Sequence, residues 1–112
     1  MLSFTLRKEE RIRRRSDFIR IFKEGKKYYS PHFRVCLSPN QLPYRRLGII
    51  VSKKVGSAVK RNRIKRLIRE FFRLHKAELF QSTDFVIQAK EGADKLTFGE
   101  VAAELQEILK EP

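Results

Sequence analysis

The pattern of hydrophobic and polar positions predicts four β-strands. Apolar side chains occupy every second position over 33–38, which is typical of a half-buried strand. Residues 47–51 alternate in the same way, and Ile50 makes that strand apolar on both faces. A continuous apolar run marks a further strand over 84–89, and 28–30 form a short strand.

Two shorter helices are predicted from their end signals. Ser16 caps a helix that begins at Asp17, whose carboxylate suits the first turn, and Gly25 closes it. Near the end of the chain, Thr97 and Glu100 form a capping box ahead of an amphipathic segment. We therefore expect a helix on each side of the strand region.

The longest helical pattern runs over 57–79, with Ser57 as its cap. At about 100° per residue, one face is apolar, with Phe72 at its edge. The residues of this apolar stripe are Ile64, Leu67, Ile68, Phe71 and Leu74. The opposite face is basic and polar, and it comprises Asn62, Lys65, Arg66, Arg69 and Arg73. Such a helix presents one stripe to a sheet and the other to solvent or a partner.

The predicted order is therefore helix, three strands, helix, strand, helix. This order indicates an α+β fold in which helices cover a small sheet. With 112 residues and no repeat, we expect a single domain over 1–112. A lone cysteine, Cys36, fits a reducing compartment, and no apolar run approaches the length of a membrane span.

The net charge and its distribution restrict the possible functions more than the hydropathy pattern does. The chain has 26 Lys and Arg against 13 Asp and Glu, a net charge of +13. The excess is local, because 53–76 carry ten basic side chains and one acidic, whereas 77–112 carry three basic and eight acidic. A surface this basic repels itself, so we expect a polyanion to contact the first two thirds of the chain.

The predicted central helix carries most of this charge. A solvated helix face usually alternates in charge sign, which allows i,i+4 pairs. Here Glu70 is the one acid among eight basic residues between Lys60 and Lys76. The turn before the helix also leaves backbone N–H groups that suit a phosphate. These features favour nucleic acid, whereas the spacing of Asn62 fits a solvated amide and an RNA contact equally well.

Catalytic patterns are scarce in the sequence. His32 and His75 lie far apart, and His75 falls on the apolar side of the basic helix, where a structural role is expected. Cys36 has no thiol partner and no metal-ligand spacing. There is no paired-carboxylate motif, P-loop or dinucleotide fingerprint. We therefore do not expect this chain alone to be a nuclease.

Several aromatic side chains have two interpretations each. Phe18 and Phe22 are one helical turn apart, so they fit core packing and also a stacking platform for unpaired bases. Tyr28 and Tyr29 have the same ambiguity. The pattern alone does not decide between the two roles.

The stretch over 47–70 closely resembles the signature of the protein subunit family of bacterial ribonuclease P. Its centre is the Arg61-Asn62-Arg63 motif, followed by Lys65-Arg66 and Arg69, and residues 15–25 resemble the first helix of that family. The resemblance extends over nearly the whole chain. It implies RNA binding by Lys53, Lys54, Arg61, Asn62, Arg63, Lys65, Arg66 and Arg69.

The same resemblance implies a fold like the second domain of ribosomal protein S5, with a left-handed crossover between two parallel strands. It also implies that an RNA subunit is the catalyst, that it uses Mg²⁺, and that it removes the 5′ leader of precursor tRNA. The protein would contact both RNAs, and Phe18 and Phe22 would bind the leader in a cleft. Cys36 matches a position where some relatives have an aromatic cleft residue, so its place in the cleft stays open.

The resemblance therefore implies a subunit of a cytoplasmic ribonucleoprotein endoribonuclease, with catalytic RNA and precursor tRNA as partners and no role for DNA or a membrane. The protein fold would need no cofactor. The alternative is a small ribosomal-type structural RNA-binding protein. A helix-turn-helix DNA reader lacks the helix expected ahead of the basic one, since strands precede it. A free-standing nuclease would need a carboxylate cluster near the basic patch.

Overall fold

The computed structural model describes residues 8–75, 79 and 81–109, which form a four-stranded sheet with helices on both faces. In chain order the helices and strands are α1 (Arg15–Glu24), β1 (Lys26–Tyr29), β2 (Phe33–Pro39), β3 (Arg46–Val51), α2 (Ala58–His75), β4 (Thr83–Ala89) and α3 (Phe98–Leu109). This order confirms the predicted α+β fold. Part of the predicted end of the central helix, residues 76–78, lies outside the described residues.

The strands are arranged in the order β1-β2-β4-β3. Both pairs that involve β2 are antiparallel, whereas β3 and β4 are parallel and are joined by α2. At the outer edge of β3, the backbone N–H of Ile12 donates to the carbonyl of Leu47 at 3.0 Å, which extends the sheet. The left-handed sense of the crossover stays a prediction of the resemblance.

The larger core lies between the sheet and helices α2 and α3. Alternate strand residues such as Phe33 and Phe85 point into it and meet Phe71 and Phe72 of α2, and all four are fully buried. Burial of a side chain of this size contributes about 1.5–3 kcal/mol each. The helical-wheel prediction was wrong for Leu74, which is 52% exposed. Phe72 and Leu74 are about 200° apart around the helix, so they cannot both face the core. Phe72 is the one that is buried.

A smaller core lies on the opposite face, beneath α1. Ile21 of α1 packs on Cys36 and Val86, and all three are fully buried. Gly48 on β3 permits this approach, because a Cβ at that position would lie only 2.7 Å from the Phe18 ring. The helix α1 therefore lies directly on the sheet, with its aromatic side chains against β3 and β2.

The start of α1 differs from the prediction, whereas its end agrees. The helix begins at Arg15, and Arg14 occupies the capping position without a side-chain hydrogen bond, so Ser16 is not the cap. Gly25 does end the helix, and its N–H donates to Ile21 at 2.8 Å. Any residue can adopt its φ of −77°, so backbone conformation does not require glycine here. Glycine is required because a Cβ would lie only 2.6 Å from the Ile21 carbonyl oxygen.

The caps predicted for the other two helices are confirmed. The hydroxyl of Ser57 accepts a long hydrogen bond of 3.4 Å from the N–H of Lys60 at the start of α2. In the capping box of α3, the N–H of Thr97 donates to Glu100 at 2.9 Å, and the N–H of Glu100 donates to the Thr97 hydroxyl at 3.2 Å. Local sequence therefore determines both helix starts.

A buried carboxylate, that of Asp84, ties α1 to the sheet. Arg46 of β3 donates to it at 2.7 and 2.6 Å, and Arg20 of α1 donates at 3.0 Å. Asn40 adds a hydrogen bond of 2.9 Å from the loop after β2. Burial by itself would raise the pKa of Asp84, but these hydrogen bonds outweigh burial and hold the pKa below its ordinary value.

Candidate RNA-binding surface

The outer face of α2 is basic, as its sequence pattern predicts. Ile64 and Ile68 are buried against the sheet, so the opposite side of the helix faces solvent. Arg66 and Arg69 are exposed there, and Lys65 is half-buried. Among the described residues, these three cations form no ion pair. We call Asn62, Lys65, Arg66 and Arg69 the α2 basic face.

Two acidic residues, Glu70 and Asp94, pair with cations of α2. Glu70 pairs with Arg73 one turn further along the helix. At the other end, Lys60 lies 3.8 Å from Asp94, which sits in a turn after β4. The uncompensated charge is therefore concentrated in the middle of the helix, where a polyanion would gain most from contact.

Arg61 and Arg63 both donate to backbone carbonyl groups of this chain. Arg61 donates to Gly56 at 3.2 Å, which holds the turn before α2. Arg63 donates to Asp94 at 3.0 Å and to Leu96 at 2.9 Å, so it ties α2 to the segment before α3. Arg63 thus has a structural contact that the sequence pattern did not indicate, and its role in RNA binding stays a prediction.

Lys53 and Lys54 extend the charge toward the start of α2. Both are exposed in a short 3-10 turn, which the buried side chain of Val55 anchors to the core. Gly56 follows with a φ of 153°, a conformation that other residues rarely adopt. The two lysines are therefore presented on a rigid turn next to the helix start.

The N-terminal segment adds charge that the sequence analysis did not single out. Arg11 and Arg13 line an open pocket of about 160 Å³ together with Lys65 and Arg69 of the α2 basic face, and Ile12 contributes to its apolar lining. The apolar residue between two arginines is a strand-like signal that could have located this segment on the sheet edge. The pairing with β3 brings the two basic regions together.

A second feature lies on the α1 face of the sheet. Phe18 and Phe22 are half-buried and pack against the smaller core beside Ile50. Each ring is therefore held in place by packing and keeps part of its surface open. This placement is compatible with both roles that the sequence left open for the two rings.

The strand register places a row of side chains beside these rings. Tyr29, Arg34, Gln88 and Ile50 are successive cross-strand neighbours on β1, β2, β4 and β3. Arg34 is at the centre: its guanidinium carbon lies 5.9 Å from the centre of the Phe22 ring and 5.7 Å from that of the Tyr29 ring. We call this row, with Phe18 and Phe22 beside it, the α1 cleft.

Cys36 does not contribute to the surface of this cleft. It is fully buried beneath α1, and burial raises the pKa of its thiol despite the nearby charges of Arg34 and Lys27. The thiol therefore stays neutral and packs as a small apolar group. Cys36 is therefore covered by α1 and presents no side-chain surface.

The two histidines have structural contacts. His75 stacks on Phe71 with ring centres 4.8 Å apart, as its apolar-side position predicts. His32 Nδ1 lies 2.6 Å from Glu104 of α3, which also accepts from the backbone N–H of His32 and from Ser30. Burial alone would raise the pKa of Glu104, but these hydrogen bonds hold it below its ordinary value.

The donor groups expected of a metal centre are not found together. Within 8–75, 79 and 81–109, no three His, Cys, Asp or Glu side chains are grouped so that they could hold a metal ion. In the same part of the chain, no helix has the length and apolar character needed to cross a membrane.

Comparison with known proteins supports a role in RNA processing. The family model described as Ribonuclease P matches residues 6–112. The ribonuclease P protein component of Syntrophus aciditrophicus is 49% identical over 113 residues, covering 100% of this chain and 95% of that protein. That of Thermotoga maritima is 41% identical over 112 residues, covering 96% and 94% respectively.

Solved structures agree with the sequence matches. The RNase P protein of Staphylococcus aureus superposes with a TM-score of 0.82 at 38% identity, covering 88% of this chain and 91% of that one. The RNase P protein of Thermotoga maritima gives a TM-score of 0.83 at 38% identity, covering 90% and 96%. The similarity therefore includes both the fold and most of the chain length.

Proposed function

Because the chain belongs to the ribonuclease P protein family, we propose that it contacts two RNAs through two separate surfaces. It is the protein component of a ribonucleoprotein endoribonuclease that processes tRNA. One surface, centred on α2, binds the catalytic RNA subunit. The other, the α1 cleft, binds the single-stranded 5′ leader of precursor tRNA. The 112 residues act as one RNA-binding domain in the cytoplasm.

The uncompensated charge on the α2 basic face carries the first half of this proposal. A cation that neutralises an RNA phosphate releases counterions, so each such contact favours binding at low salt. Among the described residues, Lys65, Arg66 and Arg69 form no ion pair, and Asn62 adds an amide that can donate and accept. Further cations extend the same surface toward the start of α2, namely Lys53, Lys54, Arg61 and Arg63.

The α1 cleft carries the second half. Phe18 and Phe22 offer partly open aromatic faces on a helix that Asp84 fixes to the sheet. Unpaired bases stack on such faces with little dependence on sequence. The two rings therefore suit a leader that differs from one tRNA to another.

Mg²⁺ enters this proposal through the RNA. The described residues offer no carboxylate cluster that could hold it. The protein's own contribution is electrostatic: its cations let two polyanions approach each other. The ribosomal-type alternative is not favoured, since the relatives are ribonuclease P protein components.

Replacing Phe22 by alanine tests the leader contact. We expect holoenzyme affinity for precursor tRNA with a leader to fall by about 1–3 kcal/mol, the usual value of one base–aromatic stack. Affinity for mature tRNA should not change. Ile19→Ala is the matched control, because Ile19 is on the same helix and 51% exposed. Equal affinities for both substrates, with a loss of about 3–5 kcal/mol in stability, would assign Phe22 to the core alone.

The double variant Arg66→Ala/Arg69→Ala tests the RNA contact of α2. Both side chains are exposed, so the melting temperature should be unchanged. Affinity for the catalytic RNA should fall, and the slope of log affinity against log salt should become shallower by about 0.7–0.9 for each phosphate that is no longer neutralised. Lys23→Ala/Lys26→Ala removes the same net charge elsewhere as a control. An unchanged affinity and slope would mean that the α2 basic face is only solvated.

A further inference from the structure

We propose that Tyr29, Arg34 and Lys90 form a second nucleotide-binding station at the β1 edge of the α1 cleft. It would receive a nucleotide of single-stranded leader beyond the part that contacts Phe18 and Phe22. This inference rests on the proposed function, because it needs the leader to lie in the cleft. It adds a stacking position on the sheet itself, on the same face where Cys36 is buried and offers none.

The first observation behind the station is a row in which cations and aromatic rings alternate. The Arg34 guanidinium lies between Phe22 and Tyr29, 5.9 Å and 5.7 Å from their ring centres, and Lys90 Nζ lies 5.5 Å from the Tyr29 ring centre. The line connects the aromatic wall of α1 to the outer strand of the sheet. A leader that leaves Phe22 therefore meets Arg34 next and Tyr29 after it.

Tyr29 presents the most open aromatic ring of the described residues. It is 61% exposed, although it belongs to a strand and its neighbours on that sheet face are half-buried. Strand pairing opposite Arg34 fixes its backbone, and two cations flank its ring. An exposed ring on a rigid strand can stack a base without the entropy cost of first ordering a loop.

Arg34 supplies an independent reason to expect an acceptor. Its Nε is buried and has no hydrogen-bond partner among the described residues. An unpaired buried donor is destabilising and needs an explanation, and an acceptor supplied by a bound ligand would provide one. A phosphate oxygen is a strong acceptor for a guanidinium, so a small rotation of Arg34 toward a leader phosphate would satisfy it.

Lys90 is positioned to hold the phosphate on the far side. Its Nζ donates to the carbonyl of Ser30 at 3.0 Å, and its backbone N–H donates to His32 at 2.9 Å. These hydrogen bonds hold the ammonium group beside Tyr29. The group still has N–H donors available for a second acceptor. A base on Tyr29 would thus have a cation on each side for its phosphates.

The test uses the reconstituted holoenzyme and precursor tRNAs whose leaders are shortened one nucleotide at a time. The variant is Tyr29→Ala, and the control is Tyr28→Ala, since Tyr28 pairs with Val35 and its side chain points to the opposite face. We expect Tyr29→Ala to weaken binding of long leaders by about fivefold or more, the effect of removing one base stack. The shortest leaders should bind equally well to both variants. Arg34→Met keeps the aliphatic stem of the side chain. It should weaken binding from the same leader length onward as Tyr29→Ala does.

Two outcomes would overturn the station, and they are distinguishable. If wild-type affinity rises with leader length but Tyr29→Ala behaves like Tyr28→Ala at every length, the leader binds without this station. If wild-type affinity does not depend on the leader at all, the leader contact in the proposed function fails, and the station fails with it.

Discussion

Without an RNA subunit, the protein is expected to leave precursor tRNA uncut. The described residues provide no carboxylate cluster for a metal-dependent cleavage, and the proposed RNA-binding surface carries cations. Added to a bacterial ribonuclease P RNA, it should allow cleavage at the mature 5′ end and lower the Mg²⁺ concentration needed for half-maximal rate. The measurement is single-turnover cleavage across a Mg²⁺ titration, with RNA alone, protein alone and both.

A control separates specific assistance from simple charge neutralisation. Polylysine at equal charge should lower the Mg²⁺ requirement less than the protein does, and its effect should not depend on the leader. Cleavage at the mature 5′ end by a nuclease-free protein preparation with no RNA would overturn the assignment of catalysis to the RNA subunit.

The strands and the last helix could be predicted from local sequence because their signals are local. A strand with one buried face shows alternation, as 33–38 do, and the capping box of Thr97 and Glu100 needs only four residues. The start of α1 could not be predicted in this way. Asp17 and Arg20 of its first two turns belong to the ion-pair network around Asp84, so tertiary contacts help to set where the helix lies.

The two proposed RNA-binding surfaces were predictable to different degrees. The α2 basic face follows from the helical period, which places Arg66 and Arg69 opposite the apolar stripe. Helical period alone could not indicate that Arg63 donates to carbonyl groups more than thirty residues away. Tyr29 and Arg34 become neighbours only through the register of two paired strands, which no spacing in the sequence specifies.

Replacing Asp84 by alanine is expected to lower the free energy of unfolding by about 3–5 kcal/mol, the usual decrease when one partner of a buried ion pair is removed. The variant would remove both hydrogen bonds that the mostly buried Arg46 donates to Asp84, leaving Asp17 at 3.6 Å as its carboxylate, and would deprive Asn40 of an acceptor. For a domain of this size the melting temperature should fall by roughly 10–20 °C. Asp84→Asn, which keeps the shape and one acceptor oxygen, should be destabilised less.

The same variants predict a change in pH dependence. The pKa of Asp84 is lower in the folded protein than its unfolded value of about 3.9, so its contribution is complete above that value and is lost as pH falls through the folded pKa. Denaturant unfolding of wild type should therefore show a steep loss of stability below about pH 4, and the loss should be shallower in Asp84→Asn. The pKa of Glu104 is also lowered in the folded protein, so its contribution to stability is likewise lost as pH falls. The variant Glu104→Gln removes this contribution and so distinguishes it from that of Asp84. Identical pH profiles for wild type and Asp84→Asn would show that the carboxylate's charge does not stabilise the joint between α1 and the sheet.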